Sequence, residues 1–180
     1  HKIREIILKS PLPSELEEEI VNTYNKLCDS EKREVEVAVR SSATAEDLPS
    51  ASFAGQHESF LNIKGEGRLL LSVRQCFASL FNDRAIKYRE DKGFDHMKVG
   101  LSVGVQVMVR SDLSCSGIGF TLEPESGFRN VIHLSGAWGL GENIVKGEVN
   151  PDEFYVFKTA LKNGKKAILS KKTGSKAKTL

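Results

Sequence analysis

Val35-Glu36-Val37-Ala38-Val39-Arg40-Ser41-Ser42-Ala43-Thr44-Ala45-Glu46-Asp47-Leu48-Pro49, continuing into Ser52-Phe53-Ala54-Gly55-Gln56, decides how this chain is read. Val35, Val37 and Val39 alternate, which puts them on one face of a strand. The apolar run stops there, and Arg40 is expected at the strand's carboxyl end, where open α/β sheets place their ligands. Small and hydroxyl residues follow. Small side chains let backbone amides approach an anion, and hydroxyls add donors. The stretch predicts one arginine delivered to a loop suited to phosphate groups. A strand running into an exposed loop with a surface arginine is the other reading that these residues allow.

On the amino-terminal side, residues 1–8 fit a helix end or a strand, and Pro11 and Pro13 break the segment. Ser14-Glu15-Leu16-Glu17 has the spacing of a capping box and opens a helix with Leu16, Ile20, Tyr24 and Leu27 as its apolar stripe. The glutamates near its start suit the positive end of the helix dipole and read as a solvated helix start, not as a metal cluster.

On the carboxyl-terminal side, residues 57–63 predict a second strand, with Phe60 available to the core. Arg68 opens a helix whose wide stripe includes Leu69, Val73, Cys76, Phe77 and Leu80. Cys76 lies within that stripe and is expected to be buried and inert. Asn82 or Asp83 is positioned to cap a further helix that ends at Gly93. Residues 98–109 form the clearest strand. Val99, Leu101, Val103, Val105, Val107 and Val109 share one face; Gly100, Ser102, Gly104, Gln106 and Met108 share the other, whose small residues leave room for close approach. Two strands over residues 116–122 and 129–134, a glycine-rich bend over 136–142, and a last hairpin around Asn163-Gly164 complete the pattern.

Composition excludes several classes. The 180 residues are 39% apolar and 28% charged, ordinary for a globular chain, and a net charge of +2 is too small to argue for nucleic acid. Cys28, Cys76 and Cys115 are odd in number and form no CxxC pair, so neither zinc nor a disulfide framework is expected and a reducing cytoplasm fits. No long apolar run predicts a membrane span. The chain begins at His1 and ends in a basic run with Lys171, Lys172, Lys176 and Lys178, expected to be a solvated end; both ends read as cuts from a larger protein.

The run from Val35 to Gln56 resembles the nucleotide-binding domain of the dikinase family. That family includes phosphoenolpyruvate synthase, pyruvate phosphate dikinase, rifampin phosphotransferase and the glucan/water dikinases, with the synthases nearest. Phe77-Ala78-Ser79-Leu80-Phe81-Asn82-Asp83-Arg84-Ala85, Val105-Gln106-Val107-Met108-Val109, Ser135-Gly136-Ala137-Trp138-Gly139-Leu140-Gly141-Glu142 and Asn150-Pro151-Asp152-Glu153-Phe154 extend the similarity over nearly the whole chain. The resemblance implies an α+β or α/β fold: a mixed, largely antiparallel sheet with flanking helices, part of an ATP-grasp-like domain. A loose division near Phe94 would give a phosphate-binding lobe (1–94) and an adenine-binding lobe (95–180).

The resemblance makes Arg40 the triphosphate-contacting arginine. It puts Gly55 and Ser59 in the loop over the phosphates, and Gln106, Val107 and Met108 beside adenine. A guanidinium suits the first role because it keeps its charge and can hold two phosphate oxygens at once. For Gly55 a turn glycine, for Ser59 a solvent-facing strand position, and for Gln106 and Met108 a polar and a core position are the plainer readings. The glycine-rich bend lacks the Gly-Lys-Ser/Thr of a Walker loop and the order of a Rossmann fingerprint. His57, His96 and His133 show no ligand or triad spacing, and none matches the family's phosphate-carrying histidine, which lies in another domain. The family's glycine-rich lysine segment and its Gln-x-Arg-Pro motif are also absent here. The resemblance therefore implies ATP as the ligand, magnesium ligands outside this chain, and no metal site within it. It further implies a parent enzyme that uses ATP, water and pyruvate through a phosphohistidine domain. A rifampin-type phosphotransferase and a non-catalytic nucleotide-binding module are the alternatives.

Overall fold

The computed structural model describes residues 2–44, 47–48, 51–52 and 58–178, with only the backbone of 47–48 and 51–52 described. The chain divides into two compact units, His1–Met108 and Val109–Leu180. All described strand pairings are antiparallel, and helices flank the sheets, in keeping with the expected fold class.

In the first unit, helices α1 (Lys2–Lys9) and α2 (Ser14–Glu31) precede strand β1 (Val37–Ala43). A small ladder of β2 (Asp47–Leu48) with β3 (Ala51–Ser52) follows, then β4 (Ser59–Ile63), α3 (Glu66–Ser79), α4 (Asp83–Lys92) and β5 (Leu101–Val107). The main sheet runs β4-β1-β5, so β1 is its central strand. The break expected at Phe94 falls inside this unit, between α4 and β5, because β5 pairs with β1 along its whole length.

The alternating valines do what their period dictates. Val35, Val37 and Val39 are fully buried and pack with Ile63, Leu69, Val73, Cys76 and Tyr24. Each fully buried valine contributes roughly 1.5–3 kcal/mol relative to an exposed one. Cys76 is buried as expected; burial, with a smaller contribution from the Glu58 charge, pushes its thiol up to about 11. In β4, Phe60 and Ile63 both pack against this core although they are three residues apart. A regular strand would send them to opposite faces. The register shift opposite Val37 to Val39, with Asn62 at φ +55°, inserts the extra residue that brings both to one face.

The start of α2 differs from the capping-box expectation. Pro13 occupies the cap position, the helix begins at Ser14 itself, and no side chain caps it. Proline fits a helix start because it has no N–H to leave unpaired there. The cap of α4 is as expected: Asn82 accepts from the Ala85 amide at 2.7 Å, and Gly93 closes the helix at φ +67°.

Tyr24 ties three segments together. Its hydroxyl donates to the Val35 carbonyl at 2.8 Å and accepts from the Gly65 amide at 3.0 Å. Gly65 sits at φ +85°, a conformation that glycine tolerates best, and opens α3.

In the second unit, β6 (Cys115–Phe120), β7 (Val131–Trp138), β8 (Asp152–Phe157) and β9 (Ile168–Lys172) form a meander in chain order. Residues 136–138 of the expected glycine-rich bend are in fact the end of β7, and the bend is confined to the residues before the short α5 (Glu142–Val145). The expected final hairpin exists, but its connection holds a short helix, α6 (Lys158–Lys162), before Gly164 turns the chain at φ +65°.

Tyr24→Phe is expected to cost about 1–3 kcal/mol, because it leaves the Val35 carbonyl and the Gly65 amide without their shared partner; chemical denaturation measures it. Burial also raises the Tyr24 phenol above its ordinary value near 10. This contribution is therefore complete below that pH and is lost as pH rises through the higher folded value, a loss that the phenylalanine variant should not show.

Candidate functional site

Arg40 is not at the end of β1 but in its middle, because the strand continues through Ser41 and Ser42 to Ala43. It faces Ser59 of β4 on one side and Gly104 of β5 on the other. The structure thus brings Arg40 and Ser59, which are far apart in sequence, into one cross-strand row. Both are exposed, on the face opposite the valine core. No described carboxylate forms an ion pair with Arg40. Gly55 lies outside the described residues.

The same face carries Ser42, Ser102, Gly104 and Gln106, all exposed. Gln106 pairs with Ala38, one row from Arg40. The phase of the β1–β5 ladder follows from two bonds: Thr44 N–H to the Gly100 carbonyl at 3.0 Å and Met108 N–H to the Glu36 carbonyl at 2.8 Å. Hydrogen-bonded and non-bonded pairs alternate along an antiparallel ladder. The backbone groups of Gly104, Gln106 and Met108 therefore face β1 and are used by it. Those of Val105 and Val107 face the outer edge of β5, where no described strand pairs. Of the three expected adenine residues, Gln106 offers its side chain, Val107 offers backbone N–H and C=O, and Met108 has its amide already engaged.

Two cavities of the first unit lie elsewhere. One of about 670 Å³ is lined by Tyr24, Asn25, Lys32 and Glu34, and one of about 580 Å³ by Ile20, Leu27, Val103 and Val105. Neither is lined by Arg40, Ser59 or Gln106, which are exposed on the sheet face. Among the described residues no group of three or more His, Cys, Asp or Glu side chains is placed to hold a metal ion. No helix among them is long and apolar enough to cross a membrane.

A family model described as the AMP/ATP-binding domain of pyruvate phosphate dikinase matches residues 1–180. The chain belongs to this family. It is 56% identical over 177 residues to the phosphoenolpyruvate synthase of Aquifex aeolicus, a match covering 98% of this chain and 21% of that protein. The corresponding protein of Neisseria meningitidis is 57% identical over 176 residues, covering 97% of this chain and 22% of the relative. That of Escherichia coli is 53% identical over 175 residues, again 97% and 22%. The chain therefore spans about a fifth of the length of these relatives.

Other singled-out residues are structural. Asp152 and Glu153 pin the basic carboxyl-terminal segment, which is therefore not simply a solvated end. Asp152 accepts from Lys176 and from the Gly174 amide at 2.8 Å, and Glu153 accepts from Lys172 at 3.2 Å. Gly174 fits there because a Cβ would lie 2.1 Å from the Asn150 carbonyl oxygen. His133 is stacked on Tyr155, with ring centroids 4.6 Å apart. The sequence reading missed Arg89, which is 1% exposed, donates Nε–H to His96 Nδ1 at 2.9 Å and lies over the Phe81 ring.

Lys176 and the Gly174 amide hold the Asp152 carboxyl below the usual carboxylate range. Its contribution is present above the ordinary value of about 3.9 and is lost as pH falls through the lower folded value. Asp152→Asn should lower the melting temperature at neutral pH and flatten its acid dependence, as thermal unfolding at several pH values will show, without changing nucleotide affinity.

Proposed function

We propose that this chain is the ATP-holding part of a phosphoenolpyruvate synthase, folded as part of an ATP-grasp-like domain. The observation that carries the reading is the row Ser59, Arg40, Gly104 with Gln106 beside it, on an exposed sheet face in a chain of the AMP/ATP-binding family. Arg40 binds the phosphate oxygens. In phosphoryl transfer the protein's work is mostly positioning and charge neutralisation, and a guanidinium supplies both. Ser59 donates its hydroxyl to the phosphates, and Gly55 lets the loop backbone approach them. Gln106 and the outward backbone groups of Val107 bond the adenine or ribose, and Met108 packs beside them.

The parent enzyme converts ATP, pyruvate and water to phosphoenolpyruvate, AMP and phosphate, carrying the phosphoryl group on a histidine of another domain. The names of the relatives support that activity. Magnesium neutralises phosphate charge in such transfers, and the missing Gln-x-Arg-Pro motif supports ligands supplied from outside this chain. The cysteine usage supports a cytoplasmic location.

In the full-length protein, Arg40→Ala should slow formation of the phosphorylated enzyme from ATP by about 100-fold or more, with stability within about 0.5 kcal/mol of the parent. Rapid-quench assays and thermal unfolding measure the two. An unchanged rate would remove Arg40 from the site, and a large fall in melting temperature would make it structural. The present chain by itself is expected to bind ATP weakly and to turn over neither ATP nor pyruvate; magnesium-dependent turnover by the chain alone would overturn this.

A further inference from the structure

Gly104 sits in the middle of β5, where glycine weakens a strand. The fold gives no reason for it. Gly104 is not among the positive-φ glycines, and among the described residues an added Cβ would meet only the Arg40 carbonyl oxygen, at an ordinary 3.9 Å. Gly117, also mid-strand, is the contrast: a Cβ there would lie 2.4 Å from the Ser135 carbonyl oxygen, so the sheet itself demands glycine. Among the described residues, nothing fills the space above Gly104.

Its surroundings point to a use for that space. Gly104 lies directly across from Arg40, and Gln106 is two residues further along the same face, about 6.6 Å away at strand rise. Beyond Gly104, the backbone groups of Val105 and Val107 face the edge of β5 where no described strand pairs. A ligand with its phosphates on Arg40 and its base at that edge must cross β5, and Gly104 is the low point of the crossing. We propose that Gly104 determines nucleotide specificity in this site by admitting the ribose over bare backbone. The inference rests on the ATP-holding role proposed above and adds to it the direction in which the nucleotide lies: across the strands, from the β5 edge to β1 and β4. A larger residue at 104 blocks the nucleoside part and leaves the phosphate contacts of Arg40 intact.

The test is calorimetric titration of the full-length protein and its Gly104→Ala, Gly104→Val and Gly104→Leu variants with ATP, AMP and inorganic tripolyphosphate, alongside melting temperatures. Expected are ATP and AMP affinities that fall with side-chain size, by about tenfold or more for valine and leucine, with tripolyphosphate affinity unchanged and melting temperatures equal or higher. ATP binding by the valine and leucine variants at parental affinity would overturn this inference and leave the ATP-holding role standing. Equal loss of tripolyphosphate and ATP would place residue 104 over the phosphates, and melting temperatures falling with side-chain size would make the glycine structural; either overturns it. Failure of the unmodified protein to bind ATP, or ATP binding indifferent to Arg40→Ala, would overturn the ATP-holding role and this inference with it.

Discussion

The first unit depends on β1 being hydrogen-bonded on both sides. A central strand cannot shift by one residue without exchanging every side chain between its faces. With Val37 and Val39 held in the core, Arg40 is forced to the opposite, exposed face. The same ladders set Ser59 on one flank of Arg40 and Gly104 on the other. Core packing thus does the work of aiming the cation. The hydrophobic gain holds the register, and the register holds the arginine where an anion can reach it.

The irregularity in β4 serves the same end. Phe60 and Ile63 are spaced wrongly for one face of a regular strand, and the bulge at Asn62 reconciles them. It also keeps Ser59 in line with Arg40. A bulge beside a candidate site re-aims side chains in this way. Tyr24 secures the neighbouring turn, because its hydroxyl joins the approach to β1 with the glycine that starts α3.

Much of this was legible beforehand. The valine alternation gave the core face of β1, the apolar stripe gave α3 with Cys76 inside it, and the Asn82 and Gly93 caps bounded α4. Local patterns of this kind survive because their cause is local: a side-chain period or a cap chemistry. Misreadings came where distant segments intervene. Arg40 looked terminal because the apolar run ends at Val39, yet pairing with β5 carries the strand on through Ala43. The basic tail looked solvated because the carboxylate partners of Lys172 and Lys176 lie some twenty residues earlier in the chain. The glycine-rich bend looked like loop, although part of it pairs with β6 and β8.

By itself the sequence determined the family and the mixed antiparallel class, because these depend on residue types in order. The tertiary structure alone decided which residues meet. Gly104 is one glycine among 15 in the sequence. Only the pairing of β5 with β1 sets it opposite Arg40, and only the phase of that ladder leaves the Val107 backbone facing outward while that of Gln106 is spent inward. Register arises from long-range hydrogen bonds and core packing acting together, and no local stretch of chain encodes it.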